Sequence, residues 1–104
     1  MLLSEAIMKG SEGRKQCVNT LEDHLGRVCA IGAVQIALNG QTRTPSVIYG
    51  IRSSFPFCPM CGSNWYHMED VLAHLNDKHQ MTFQEIADFL IKNNLDKEIP
   101  NAVK

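Results

Sequence analysis

Val28-Cys29-Ala30-Ile31-Gly32-Ala33-Val34-Gln35-Ile36-Ala37-Leu38 is apolar on nearly every side, with Gln35 its one strongly polar residue. Its length of about three turns and the Asn39-Gly40 stop that follows favour a helix over a strand. A helix without a polar face must be covered on most sides, so this one is expected at the centre of a core. Ala30, Gly32, Ala33 and Ala37 are small and would let neighbouring elements approach closely.

Working outward toward the N-terminus, Ser4 is a candidate N-cap for a short helix carrying Leu3 and Ile7 on one side, interrupted by Gly10 and Gly13. Residues 11–20 read as a polar connection, and Thr20 is expected to cap a short turn through Leu21–Leu25 that Gly26 ends. On the other side, Pro45, Gly50 and Pro56 punctuate the β-prone run Val47-Ile48-Tyr49 and Ile51, which predicts short strands or an extended loop. A helix follows over Met68–Asn76, with Val71, Leu72 and Leu75 as its apolar stripe. The last helix, over 82–94, has the clearest start: Thr82 and Glu85 form a capping box, Met81 and Ile86 a hydrophobic staple. Phe83, Ile86, Ala87, Phe89 and Leu90 should be its buried face, Asn93-Asn94 its end, and Pro100 the mark of a loose tail.

Between these elements lies the chemistry. Cys58, Cys61, His74 and His79 are spaced C-x2-C-x12-H-x4-H. Two cysteines separated by two residues can turn both sulfurs toward one ion, and two imidazoles from a helix end and the turn after it can close a tetrahedron. Zn²⁺ suits mixed sulfur and nitrogen ligands and needs no redox chemistry. Gly62, directly after Cys61, suits the positive φ of such a knuckle. Asp77 and His67 lie close enough in sequence to take the fourth position in place of His79. Four protein ligands leave no open coordination position, which argues for a structural ion and against catalysis. The short segment cannot bury a core of its own, so chelation is expected to loosen the knuckle first.

This segment resembles the two-Cys, two-His zinc finger over residues 55–80. The family places an aromatic residue three positions past the second Cys and an aliphatic one three before the first His, and here those are Trp65 and Val71. The resemblance implies a small ββα module around zinc. Phe57 abuts Cys58, where the finger pattern leaves one residue between. The helical positions that read bases in DNA-binding fingers fall at His67, Asp70 and Ala73, beside Glu69, with no Arg or Lys among them. A looser likeness runs over most of the chain: Gly26–Ala33, His74–His79 and Thr82–Ala87 look like small uncharacterised bacterial and phage proteins. It implies one compact helical domain with an embedded knuckle and brings no activity with it.

Composition bounds the rest. The chain's 104 residues suit one domain, and 44% hydrophobic with 20% charged residues argues against wholesale disorder. A net charge of -1 excludes a general polycationic coat for nucleic acid. The total hides an imbalance: residues 1–57 carry six basic and four acidic groups, residues 58–104 four and seven. Arg14, Lys15, Arg27, Arg43 and Arg52 could form a patch for phosphate or an acidic protein surface. The first residues lack the basic region of a signal peptide, no run approaches the roughly 18 apolar residues of a membrane span, and a cytoplasmic setting with reduced thiols is expected. Cys29, near His24, could be a nucleophile at a helix start, but its apolar setting reads as burial; Cys17 reads as a half-buried loop residue. Cys17, His24 and Cys29 match no metal spacing. No phosphate-cradling glycine loop or nucleophile elbow is present.

Together these readings predict a mainly α single domain over 1–104, with a zinc-stabilised β-knuckle module at 55–80. The expected function is binding and not catalysis: a small adaptor with a protein partner, or, as the alternative, a nucleic-acid binder using the arginines of the N-terminal half.

Overall fold

The central apolar stretch is helical, but it starts two residues later than its pattern predicts. The computed structural model describes residues 1–42, 48, 50–54 and 56–99. Its helices are α1 (Leu3–Gly10), α2 (Ala30–Asn39), α3 (Met68–Ala73), which runs on into a π turn (His74–Lys78), and α4 (Phe83–Lys92). Cys29 is the N-cap of α2, its sulfur accepting from the Gly32 N–H at 3.4 Å. Val28 is drawn out of the helix because its backbone pairs with the preceding loop: its N–H donates to Lys15 O and its carbonyl accepts from Cys17 N. Gly40, at φ 79°, ends the helix as expected.

The small residues of α2 have the anticipated use. A Cβ on Gly10 would stand 1.6 Å from the Ala33 carbonyl oxygen, so α1 rests directly on the α2 backbone. A Cβ on Gly32 would stand 2.2 Å from Leu21 O, where the 16–28 loop presses on the same helix. A turn forms at His24-Leu25 with Gly26 at φ 80° after it, but Asp23 organises it and not Thr20: Asp23 Oδ1 accepts from the Leu25 and Arg27 N–H groups.

Ser4 is not the cap of α1. It lies inside the first turn, where its backbone N–H and hydroxyl both donate to the Asp96 carboxylate, at 2.8 and 2.6 Å. A carboxylate from the far end of the chain therefore satisfies the positive end of α1. The segment before Pro100 is tied down: Leu3 N donates to Lys97 O, Ile99 N donates to Met1 O, and Leu95 and Ile99 are buried. Pro100 lies outside the described residues.

The helix predicted over Met68–Asn76 changes character at His74, where the hydrogen bonds widen into the π turn. In α4 the capping box is present: Thr82 Oγ1 accepts from Glu85 N, and Glu85 Oε1 accepts from Thr82 N. Ile86, Ala87 and Leu90 form its buried face, while Phe83 and Phe89 are half-buried, and Asn93 ends it.

Among the described residues no β-pairing extends beyond isolated bridges. Isolated antiparallel bridges set Arg52 beside His67 and Phe57 beside Asn64. Ile48 sits buried in a turn, and Val47, Tyr49 and Pro45 lie outside the described residues. One hydrophobic cluster joins Leu3 and Ile7 of α1, Val34 of α2, Leu72 of α3, Leu90 of α4 and Ile99, with Trp65 of the knuckle among them. No helix is long and apolar enough to cross a membrane among the described residues.

Candidate metal centre

The x4 spacing between the two histidines poses a geometric problem. On an α-helix, residues five apart sit about 140° around the axis from each other and cannot serve one ion. The π turn removes that obstacle. The His79 N–H donates to the His74 carbonyl at 3.3 Å, so one widened turn closes between the two residues and returns both rings to one side. Their ring centroids lie 4.8 Å apart.

The cysteines come from the opposite arm. Cys58 N donates to Ser63 O, Trp65 N donates to Pro56 O, and Gly62 N donates back to Cys58 O at 2.8 Å, with Gly62 at φ 75°. This tight turn brings Cys61 back beside Cys58 and aims the Met60 N–H at the Cys58 sulfur, 3.4 Å away. The result is a convergence: one ligand atom from each of Cys58, Cys61, His74 and His79 lies within 4.8 Å of the others.

The separations match a cation's requirements. Zinc–sulfur bonds near 2.3 Å and zinc–nitrogen bonds near 2.0 Å make tetrahedral edges of about 3.5 Å for S···N and about 3.3 Å for N···N. The structure has Cys58 Sγ 3.5 Å from His79 Nε2, Cys61 Sγ 3.3 Å from His74 Nε2, and the two Nε2 atoms 3.1 Å apart. Both rings present the same nitrogen, which is how lone pairs gather around a cation.

The environment prepares these groups unequally. Cys58 is buried and Cys61 exposed. The Ser63 hydroxyl, 3.2 Å from Cys61 Sγ, and the Ser63 backbone favour the thiolate; with His79 and His74 beside it, and against a smaller effect of desolvation, the Cys61 pKa is lowered from 9.0 to about 5. Trp65, 1% exposed, packs its edge on His74 with centroids 5.5 Å apart and also meets Phe89 of α4 at 6.5 Å. Val71 is fully buried.

The other candidate ligands are engaged elsewhere. Asp77 Oδ1 accepts from the Asn19 N–H, and His67 Nδ1 faces Asp70 at 3.6 Å. Cys17, His24 and Cys29 do not form a ligand group; the quartet above is the one such group among the described residues. Cys29 is buried and desolvation raises its pKa. Cys17 is buried instead of half-exposed, its thiol donating to Arg27 O at 3.2 Å, and desolvation followed by the nearby Cys29 raises its pKa as well. The arginines are partly neutralised: Arg14 pairs with Glu22 at 3.6 Å and Arg27 with Asp23 at 2.5 Å. Arg43 lies outside the described residues.

Two residues of the site escape a reading by motif. Ser63 tunes Cys61, and Asn76 lies fully buried inside the π turn. The x4 spacing is itself a signal for the widened turn; nothing comparable marks Asn76, because an asparagine near a helix end ordinarily reads as a stop.

Comparison with protein-family models, curated proteins and solved structures finds no match for the chain, so the likeness to small bacterial and phage proteins has no support from relatives.

Proposed function

We propose that this chain is a small single-domain binding protein of the adaptor kind, with no catalytic activity, whose knuckle is braced by one structural Zn²⁺ on Cys58, Cys61, His74 and His79. The observation that carries the reading is the agreement of the S···N and N···N separations, 3.3 to 3.5 Å and 3.1 Å, with the edges of a zinc tetrahedron. Four donors fill the coordination sphere, so the ion holds structure and activates no water. The antiparallel bridges Arg52–His67 and Phe57–Asn64, followed by α3, support a compact variant of the ββα zinc-finger arrangement.

A protein partner is favoured by what the knuckle leaves exposed. Phe57 and Tyr66 are 54% and 55% exposed, and Met60 is exposed beside them in sequence. Cys58 and Trp65 point inward, so alternation along the two bridged arms puts Phe57 and Tyr66 on the outer side. Exposed apolar side chains mark an interaction surface where they adjoin, and Phe57, Met60 and Tyr66 all belong to this one short knuckle. Nucleic-acid binding by the N-terminal arginines has less behind it, because Arg14 and Arg27 already face carboxylates.

Metal analysis of the purified protein tests the central claim. About one zinc per chain is expected, reduced severalfold in Cys58→Ser; equal zinc in the two would overturn it. Binding to duplex DNA that weakens steeply with salt would instead favour the nucleic-acid reading.

A further inference from the structure

The π turn that aligns the two histidines also carries the side chains that hold the 16–30 loop. Asn76 Oδ1 accepts from Ala30 N at 3.0 Å and from Gln16 Nε2 at 2.6 Å. Asn76 Nδ2 donates to Cys17 O at 2.9 Å and to Asp77 Oδ1 at 2.7 Å, and the same Asp77 oxygen accepts from Asn19 N at 3.0 Å. All the hydrogen-bonding capacity of a fully buried amide is therefore spent, most of it on the loop and on the first residue of α2. Both residues lie between the two ligands.

We propose that ion binding at the Cys58, Cys61, His74 and His79 site controls the order of residues 16–30, with Asn76 as the coupling residue. This rests on the metal reading above. A π turn has poorer hydrogen bonds than an α-helix and persists where something over-determines it. An ion on His74 and His79 does so, because both rings can reach it only in the widened register. Without the ion, the turn can rewind toward the α register. Rewinding carries the residues after His74 around the helix axis and takes Asn76 and Asp77 off the loop. The turn is then a two-state element that the ion biases, and the loop is its readout. Linkage makes the effect reciprocal: loop contacts that favour the π register must tighten ion binding by the same factor.

The test is amide hydrogen exchange of the full chain, zinc-free and zinc-loaded, followed at Ala30 and Asn19, with Trp65 emission reporting zinc uptake separately. Both amides should exchange about tenfold more slowly with zinc, the scale of one lost hydrogen bond to a buried partner. Zinc uptake with unchanged exchange at both amides would overturn the coupling and leave the metal site standing. Absence of zinc uptake would overturn both. In Asn76→Ala, zinc should bind about tenfold more weakly and no longer slow exchange at Ala30. A wild-type zinc response in that variant would sink the proposal. Asp77→Ala, which leaves the buried amide in place, provides a milder second variant: the response at Asn19 should vanish while that at Ala30 persists, and retention of both would again count against it.

Discussion

In residues 57–79 the chain closes around four ligand atoms, whereas α1, α2 and α4 close around aliphatic side chains. The knuckle has two isolated bridges, a six-residue helix and a π turn, none of which is stable on its own. The other half has helices that meet backbone to backbone, as at Gly10 and Ala33, and a chain end that caps α1 through Asp96. Yet the two halves share one core, since Trp65, Met68, Val71, Leu72 and Leu75 are buried with the side chains of α1 and α4. The contrast teaches that the knuckle contributes side chains to the shared core while its own backbone is held by few contacts, which is where an ion on the four converging groups would act.

Removing the ion is the most damaging way to probe that division. Structural zinc supplies on the order of 10 kcal/mol in isolated fingers, so chelation should loosen the knuckle. Trp65 emission should shift to the red before the helical circular-dichroism signal falls, because Trp65 touches His74 while α1, α2 and α4 keep their own contacts. Simultaneous loss of both signals would mean that the halves are one cooperative unit. Acid reaches the same region by another route. The Cys61 pKa is lowered to about 5, so its thiolate favours the folded state fully above the ordinary value of 9.0, and that contribution disappears as pH falls through about 5. With the metal bound, alkylation at pH 7 should leave Cys29 and Cys17, whose pKa values burial raises, untouched until unfolding, whereas stripping the metal should open the exposed Cys61 to rapid modification. Equal labelling of all three would erase the distinction between a ligand thiol and a core thiol.

Gly10→Ala attacks the other half. The added methyl would meet the Ala33 carbonyl at 1.6 Å, a contact that only separation of α1 from α2 can relieve. A loss of about 3 kcal/mol is expected in denaturant unfolding, with zinc stoichiometry unchanged. If zinc is lost as well, the α1–α2 contact supports the site and the halves are not separable. A smaller probe is Asp96→Ala, which removes the carboxylate from Ser4 and should cost about 1 kcal/mol. A neutral result would show that water caps α1 equally well.

Particular residues explain why parts of this architecture can be read from sequence and parts cannot. Local signals survive: Gly40 ends α2, Thr82 and Glu85 open α4, and the four side chains that the spacing names, Cys58, Cys61, His74 and His79, lie together. What escapes is non-local. Ser4 looks like a cap until Asp96 arrives from 92 residues away. Leu95 and Ile99, separated by Asp-Lys-Glu, carry no periodic pattern, yet both are buried in the shared core. Val28 belongs to the apolar run by composition and leaves the helix because the loop supplies better backbone partners. Asn76 is the extreme case, since its role exists only once Ala30, Gln16 and Cys17 surround it.

The smallest effect on stability is expected at the outer side of the knuckle, and its smallness is informative. Phe57 and Tyr66 are more than half exposed and lie outside the shared core, so Phe57→Ala and Tyr66→Ala should each change unfolding free energy by no more than about 0.5 kcal/mol. Zinc content should stay at the wild-type level, because neither side chain is among the four ligands. Aromatic side chains that stabilise neither the core nor the ion are free to contribute to binding a partner. A loss of several kcal/mol in either variant would place that residue inside the fold's own packing, and the outer side of the knuckle would then be structure and not surface.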